Sequence, residues 1–321
     1  MSELHKFLFD GAPVRGALVR LTDGWRELLQ RRAEAGGYPA PVTELLGEMT
    51  AAAVLLHSNI KFAGALVLQI VGDGPLKVAV AEVQPDMAFR ATATVTPGVD
   101  AAADLVQLVN VHGQGCCAIT LDPRQRQPGQ QPYQGIVPLH DADGHALHRL
   151  SDMLGLYMRQ SEQLDTRLVL AANDEVAAGL LIQRMPTAGL GNLAGRGHER
   201  SEADEDEDFR RIATLAMSLT RDELLRLDAD TLLHRLFWQE HLMRLEGPRS
   251  APRFACTCSR ERVAAMLRGL GPAEVESILA ERGEVDVGCE FCGQHYRFDA
   301  VDAARLFLAQ AQQPPGSDHV Q

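Results

Sequence analysis

Four cysteines in two tight pairs constrain this sequence more than any other feature. Cys256 and Cys258 form the first pair, Cys289 and Cys292 form the second, and thirty residues separate the two pairs. Two such pairs in one short segment are the usual means of surrounding a zinc ion with four thiolates. We therefore predict a four-cysteine zinc site. The competing interpretation is two unrelated pairs of free thiols.

The chemistry open to such a site is narrow. Four thiolates fill the coordination sphere of zinc and leave no position for water, so hydrolytic catalysis is not expected. His295 is close in sequence, but its alternation with Tyr296 and Phe298 predicts a strand residue at the surface or beside the ligands. Thiolates are also the groups that oxidants attack, so oxidation and metal release are coupled. Because structural zinc can contribute on the order of 10–16 kcal/mol to the folding of a small unit, its loss should unfold this segment.

Charge and composition restrict the partners of the chain. The chain has 321 residues, 45% of them hydrophobic, and a formal net charge of -12. Residues 251–321 contain seven Arg, no Lys and ten Asp plus Glu, whereas binding to a nucleic-acid backbone needs a basic face. No apolar run reaches the roughly 18 residues of a membrane span, and the N-terminus lacks a signal-peptide pattern. We expect a cytoplasmic protein that binds neither nucleic acid nor membrane. In that compartment, paired cysteines are more often metal ligands or redox groups than structural disulfides.

Hydrophobic periodicity predicts an α+β domain over residues 1–200, with an antiparallel sheet and helices. A hairpin is indicated by strands at 64–71 and 76–83 around the turn at 72–75. Cys116 and Cys117 fall within a further strand, where neighbours point to opposite faces, so we expect apolar filling and not a chelating pair. Other strands are predicted at 87–95, 133–139, 166–172 and 177–185, and helices at 41–57 and 145–164.

A helical linker over residues 201–250 is predicted to follow this domain. It comes after a glycine-rich loop at 186–197 and begins with an acidic run at 202–208, which is typical of a solvated linker or a helix start. Thr220 and Glu223 fit a capping box. The leucine-rich part, 209–247, is too short to bury its own apolar surface. It must therefore lie on the first domain, on the zinc segment or on a partner, and we expect its stability to be conditional.

The cysteine-bearing segment, 251–312, is predicted to be a small domain with little apolar core. Ser259 can cap a helix whose apolar side chains recur at helical spacing, and Gly271-Pro272 ends that helix and starts another. Asp299 can cap a last helix. Residues 313–321 are expected to form a flexible tail.

At the level of whole motifs, the sequence resembles the bacterial redox-regulated heat-shock chaperonins, the thirty-three-kilodalton HslO type. The resemblance is carried in the C-terminal part by the segments around both cysteine pairs, 254–262 and 278–293. It extends over nearly the full length through Val14-Arg15-Gly16, Lys61-Phe62, Gly72-Asp73-Gly74-Pro75-Leu76, Tyr133-Gln134-Gly135, Ser161-Glu162-Gln163-Leu164 and Thr166-Arg167-Leu168.

The resemblance implies a chaperone of the holdase kind, which needs no ATP and is not an enzyme. It implies zinc on the four cysteines in a quiescent reduced state. Oxidants would then form the disulfides Cys256–Cys258 and Cys289–Cys292, expel zinc, and unfold the zinc domain and the linker. The implied active form is a homodimer that binds unfolding client proteins during oxidative stress.

Two other functions remain open on the cysteine pattern alone. A nucleic-acid-binding zinc ribbon is permitted by the spacing, although the acidic segment disfavours it. A thiol oxidoreductase using Cys289-Glu290-Phe291-Cys292 would need this motif to open a helix after a strand, and no such unit is predicted around it.

Overall fold

The computed structural model describes residues 1–34, 36–125, 129–186, 201–247 and 250–311. The chain divides into two compact units, Met1–Ala255 and Cys256–Gln321. Sheets and helices occur in both units, so the prediction of an α+β fold is confirmed. Most of the predicted glycine-rich loop (187–197) and the predicted tail (313–321) lie outside the described residues.

The first unit contains a five-stranded antiparallel sheet, which we call sheet A. Its strand order is β10-β1-β2-β9-β8, so the chain's first two strands pair with strands from residues 166–245. The strands are β1 (Glu3–Phe9), β2 (Val14–Leu21), β8 (Thr166–Ala172), β9 (Ala177–Arg184) and β10 (Leu242–Leu245).

A second sheet of six strands, sheet B, completes the strand framework of this unit. Its order is β11-β5-β4-β3-β6-β7, antiparallel except for the short β11, which pairs with β5 in parallel. The predicted hairpin is confirmed as β3 and β4. The strands are β3 (Gly64–Val71), β4 (Leu76–Val83), β5 (Ala88–Val95), β6 (Cys116–Pro123), β7 (Tyr133–Pro138) and β11 (Arg253–Phe254).

Helix α2 (Ala40–Asn59) is the centre of the first unit and contacts strands of both sheets. Most of its side chains are buried on every face, as expected for a helix enclosed by other elements. At Gly47 a Cβ would overlap Ala172 of sheet A, so this glycine permits close packing. The other helices before the linker are α1 (Asp23–Ala33), α3 (Leu105–Val109) and α4 (Leu150–Gln160).

Three helices between residues 202 and 237 cover one face of sheet A. They are α5 (Glu202–Met217), α6 (Arg221–Arg226) and α7 (Ala229–Phe237), and we call them the linker helices. Their apolar side chains form one buried cluster with β1, β2, β8 and β9. The rings of Phe9 and Phe237 meet edge to face with centroids 5.0 Å apart. The expectation that this segment needs another surface for burial is confirmed, and that surface is sheet A.

The second unit is small. It contains α8 (Arg260–Leu270), α9 (Pro272–Arg282), the antiparallel pair β12 (Val285–Gly288) and β13 (His295–Phe298), and α10 (Ala300–Ala311). Ser259 caps α8 by accepting a hydrogen bond from the Arg262 N–H, and Asp299 accepts one from the Asp302 N–H at the start of α10. Among the residues that the structure describes in this unit, the core cluster comprises six buried apolar residues: Ala264, Leu267, Val275, Val285, Phe298 and Ala303.

Two local predictions were wrong. The helix predicted over 145–164 begins only at Leu150, because residues 140–147 form a turn in which His140 bridges to Ala146 and the Leu147 N–H bonds to Leu139. Leu242 and Met243, which were grouped with the helical linker, form β10 and pair with the edge strand β1. Among the described helices, none combines the length and apolarity that crossing a membrane requires.

Candidate metal and thiol centre

The four cysteines of the two pairs meet in the second unit. Their sulfur atoms all lie within 4.8 Å of one another. Cys256 and Cys258 precede α8, while Cys289 and Cys292 lie in the turn between β12 and β13. That turn is fixed by hydrogen bonds from the Cys289 N–H to Gln294 O (2.9 Å) and from the Gly293 N–H to Cys289 O (2.8 Å). Gly293 has a φ of 69°, which favours glycine at this position.

The arrangement of the sulfurs fits a tetrahedral metal site. The Cys256–Cys289 sulfur distance is 3.6 Å and the Cys258–Cys292 distance is 3.3 Å. Four sulfurs around zinc at about 2.3 Å would lie roughly 3.8 Å apart. The donor set is therefore one that a thiophilic ion prefers, at nearly the required spacing.

Tyr296 is the principal polar neighbour of the thiols. Its hydroxyl donates a hydrogen bond to Cys258 Sγ at 3.1 Å. Burial raises the pKa of Cys258, but hydrogen bonds from Tyr296 and the other thiols outweigh this effect and the pKa is lowered. Burial raises the pKa of Cys256 and of Cys292. Of Cys256, Cys258 and Cys292, Cys258 is thus the thiol whose charged form the surrounding groups favour most.

His295 does not join the sulfur cluster. Its Nδ1 lies 2.8 Å from Asp286 Oδ1 on the neighbouring strand, and its side chain is 60% exposed. The prediction of a surface or neighbouring role for His295 is confirmed.

The two remaining cysteines lie on opposite faces of β6, as predicted. Cys117 is buried, and burial raises its pKa, whereas Cys116 is half-buried. A second close group of metal-ligand types, Asp141, Asp143 and His145, lies on an exposed turn. Asp141 Oδ1 accepts the backbone N–H groups of Asp143 and His145, which accounts for that grouping.

The sequence did not predict Arg20 as a contact of the linker helices. Arg20 lies on β2 on the face that these helices cover. Its Nη1 donates to Leu224 O and its Nη2 donates to Leu225 O at 3.1 Å. Both carbonyls belong to the last turn of α6, where helix carbonyls have no partner within the helix. No motif marks Arg20, since its partners are more than 200 residues away.

An ion pair also joins the linker helices to α2. Arg221, the first residue of α6, pairs with Glu44 at 2.8 Å and donates to Ala172 O at 2.7 Å. Buried apolar packing and a few directed polar contacts therefore attach the linker helices to the rest of the first unit.

Taken together, the fold and the site define an α+β protein with a cluster of four thiols in a small C-terminal unit. Residues 2–299 match the family model described as Hsp33 protein. The chain is 45% identical to the 33 kDa chaperonin of Chromobacterium violaceum over 95% of this chain and 93% of that protein. It is 40% identical to that of Methylobacillus flagellatus over 98% and 97%, respectively.

A solved structure shares the fold. The crystal structure of the 33 kDa chaperonin from Thermotoga maritima, an Hsp33 homolog, matches with a TM-score of 0.74 at 20% identity, covering 97% of this chain and 99% of that one. The chain belongs to the Hsp33 family, so the resemblance identified from its motifs is confirmed and a chaperone role is supported.

Proposed function

We propose that this protein is a redox-regulated, ATP-independent holdase that captures unfolding proteins during oxidative stress. One observation carries the proposal: the four thiols cluster at metal-ligand spacing in a unit whose core cluster, in the part of the chain that the structure describes, has six buried apolar residues. A unit with so little apolar burial depends on a cross-link, such as a bound metal ion, for its stability. Three of the thiols are half-buried rather than enclosed, so an oxidant can approach them.

In the reduced state, Cys256, Cys258, Cys289 and Cys292 would hold a zinc ion as thiolates. The bound ion would supply cross-linking of the two cysteine pairs, and hence folding free energy, with no catalytic step. Oxidation of two zinc-bound thiolates to one disulfide removes two electrons, which together with two protons from the solvent convert one hydrogen peroxide into two waters. Two disulfides therefore consume two peroxides and leave no thiolate for the metal.

The pairing of the disulfides decides whether the unit opens. The sulfur distances of 3.6 Å (Cys256–Cys289) and 3.3 Å (Cys258–Cys292) each join one cysteine of the first pair to one of the second, and cross-linking in that pattern would keep the two halves of the unit tied together. Disulfides Cys256–Cys258 and Cys289–Cys292 instead close only very short loops and would replace none of the long-range restraint. The family resemblance implies this local pairing, and we propose it here because it would let the unit unfold once the metal has left.

Unfolding of the second unit would then weaken the linker helices. These helices cover an apolar face of sheet A that includes Phe7, Phe9 and Ile182. Their release would expose this face to client proteins and, at sufficient concentration, to a second copy of the chain, giving the oxidised homodimer. The proposed site of action is the cytoplasm, and the activity is binding without catalytic turnover.

The ion pairs of the second unit argue against the zinc-ribbon alternative. Arg260 pairs with Asp302 at 2.6 Å, and Arg297 lies 3.3 Å from Asp286. Two of its arginines are thus engaged by carboxylates in a unit of acidic composition, and backbone phosphate binding needs unopposed cations.

The test compares zinc content, free thiols and suppression of client aggregation in the same samples before and after peroxide treatment. We expect suppression only after about four thiols and one zinc are lost, and peptide mapping should give the two local disulfides. Cys289→Ser should lower zinc affinity and loosen the unit without oxidant, whereas Cys116→Ser, a half-buried cysteine outside the cluster, should behave as wild type. Equal suppression by the reduced and oxidised protein would refute the proposal.

A further inference from the structure

The first unit contains a cavity that the proposed switch does not use. Its volume is about 110 Å³, and it lies between the α2-facing side of sheet A, the end of α2, sheet B and α4. Since one water needs about 10–15 Å³ of such space, the cavity has room for roughly eight water-sized atoms. Its walls are mainly apolar and include Leu56, Ile60, Leu66, Ile119, Leu121 and Leu164. A mainly apolar cavity with a few converging polar groups is the usual form of a small-molecule site.

Arg15 supplies a positive charge to this cavity. Its Nε donates to Gln183 Oε1 at 2.8 Å and its Nη2 reaches the same oxygen. Among the described residues no carboxylate pairs with it, and the nearby Lys6 adds a like charge. Burial lowers the pKa of Arg15, with no acidic group to oppose the effect. Because a guanidinium stays charged and has five donors, Arg15 can still bind an anion.

Glu162, a solvent-exposed residue in the lining of the cavity, supplies the opposite charge. The hydroxyls of Tyr157 (2.9 Å) and Tyr133 (3.3 Å) both donate to its Oε1. Its Oε2 accepts no hydrogen bond within the described part of the chain, and no cation pairs with it there. Glu162 therefore retains acceptor capacity.

The backbone around Glu162 is specialised. The next residue, Gln163, has a φ of 56°, which is uncommon for a residue other than glycine. Strained backbone of this kind tends to occur at binding sites. On β7, a Cβ at Gly135 would overlap the Tyr157 hydroxyl, so the absence of a side chain there lets Tyr157 reach Glu162.

We propose that this cavity binds a free apolar α-amino acid. The carboxylate would lie on Arg15, the ammonium on Glu162, and the side chain among the aliphatic walls. The argument rests on two opposite charges that line one small apolar cavity without pairing with each other. Peptide termini carry only one of these two charges, so a free amino acid is the ligand that satisfies both.

The proposed site is independent of the thiol centre. Arg15 and Glu162 lie in segments through which the chain resembles its family, 14–16 and 161–164, and neither segment contributes to the cysteine cluster. On β2 the side chain of Arg15 points away from the face that carries Leu18 and Arg20 and that the linker helices cover. The proposal of a redox switch can therefore be refuted without affecting the proposal of this site, and the reverse also holds.

Methyl NMR of the reduced, zinc-loaded full chain provides the test. Isoleucine methyl groups are labelled, and L-leucine, L-isoleucine and L-valine are titrated separately. We expect saturable shifts at Ile60 and Ile119, which line the cavity, and none at Ile278 in the second unit. N-acetyl-L-leucine, which mimics a peptide C-terminus, and L-leucinamide, which mimics an N-terminus, should each bind at least about tenfold more weakly, because each lacks one charged contact.

Variants then locate the contacts. Arg15→Gln and Glu162→Gln should each weaken binding at least about tenfold, whereas Arg159→Gln and Glu175→Gln, at exposed positions, should not. The proposal is overturned if none of the three amino acids shifts the Ile60 and Ile119 methyl signals when its concentration is 20 times a dissociation constant of about 1 mM. It is equally overturned if N-acetyl-L-leucine binds as well as L-leucine. The ligand series uses wild-type protein, so it decides the matter even if a variant fails to fold.

Discussion

Arg20 holds the linker helices on sheet A, and its removal tests how strongly they are attached. The side chain donates to two carbonyls of the last turn of α6, and the residue is only 9% exposed, so water cannot readily replace it. Burial lowers the pKa of Arg20, while Glu3 and Asp228 oppose the change. We therefore treat the guanidinium as charged.

The magnitude follows from the two hydrogen bonds. A hydrogen bond from a charged donor contributes about 1.5–3 kcal/mol, and a buried carbonyl left without a partner costs about 1–3 kcal/mol. At the lower end, Arg20→Ala should destabilise the docked linker by about 3 kcal/mol. That corresponds to an increase of roughly 100-fold in the undocked population.

Hydrogen exchange of the reduced, zinc-loaded protein measures this change directly. In Arg20→Ala, amides of residues 209–237 should exchange roughly 100-fold faster, while those of α2 and of sheet B keep their protection. Partial suppression of client aggregation without oxidant should accompany the faster exchange.

The matched control is Arg226→Ala. Arg226 is also an arginine of this docking region, in α6 itself, but it is exposed. It should leave exchange and aggregation unchanged. If Arg20→Ala shows wild-type protection across 209–237, then apolar packing alone holds the linker helices and the polar contact contributes nothing measurable.

Three further predictions concern other parts of the chain. Tyr296→Phe removes the hydrogen bond to Cys258 and should lower zinc affinity about tenfold or more in competition with a chelator; an unchanged affinity would count against a supporting role for Tyr296. Ser259→Ala removes the cap of α8 and should destabilise the second unit by about 1 kcal/mol in denaturant titrations, whereas the control Ser250→Ala should not. Burial, and then Glu44, raise the pKa of Glu48 to about 8. A carboxyl group whose pKa is raised in the folded state lowers the stability of the protein as the pH rises above the pKa of that group in the unfolded state. Glu48→Gln should therefore raise the melting temperature more at pH 8.5 than at pH 5; an equal effect at both pH values would contradict this assignment.

Local patterns in the sequence were sufficient to predict the elements whose causes are local. The Thr220–Glu223 capping box, the β3–β4 hairpin and the paired cysteines depend on residues a few positions apart, and each was found where expected. The start of α4 was misplaced because the competing turn at 140–147 is held by contacts that helical periodicity does not encode.

Long-range contacts account for what the sequence left undetermined. Apolar content indicated that residues 209–247 need a surface, but only the structure identifies that surface as sheet A. The cavity around Arg15 and Glu162 draws its lining from seven separate elements. No spacing rule links these residues, so sequence patterns could not bring them together.

The pairing of β10 with β1 has a consequence for the activated state. β10 ends at Leu245, and only the two-residue strand β11 holds the chain between it and the second unit, which begins at Cys256. A melted second unit that also detached β11 from β5 would free the chain close to β10. Loss of β10 would leave β1 as the border of sheet A, with the N–H and C=O groups that now meet residues 242–245 unbonded. An unpaired sheet edge of this kind can pair with any extended chain through backbone hydrogen bonds, whatever the side chains of that chain are. The opened protein would then present two kinds of binding surface, the apolar face of sheet A and the unpaired backbone edge of β1. The backbone edge alone would account for client binding that does not depend on the client's sequence.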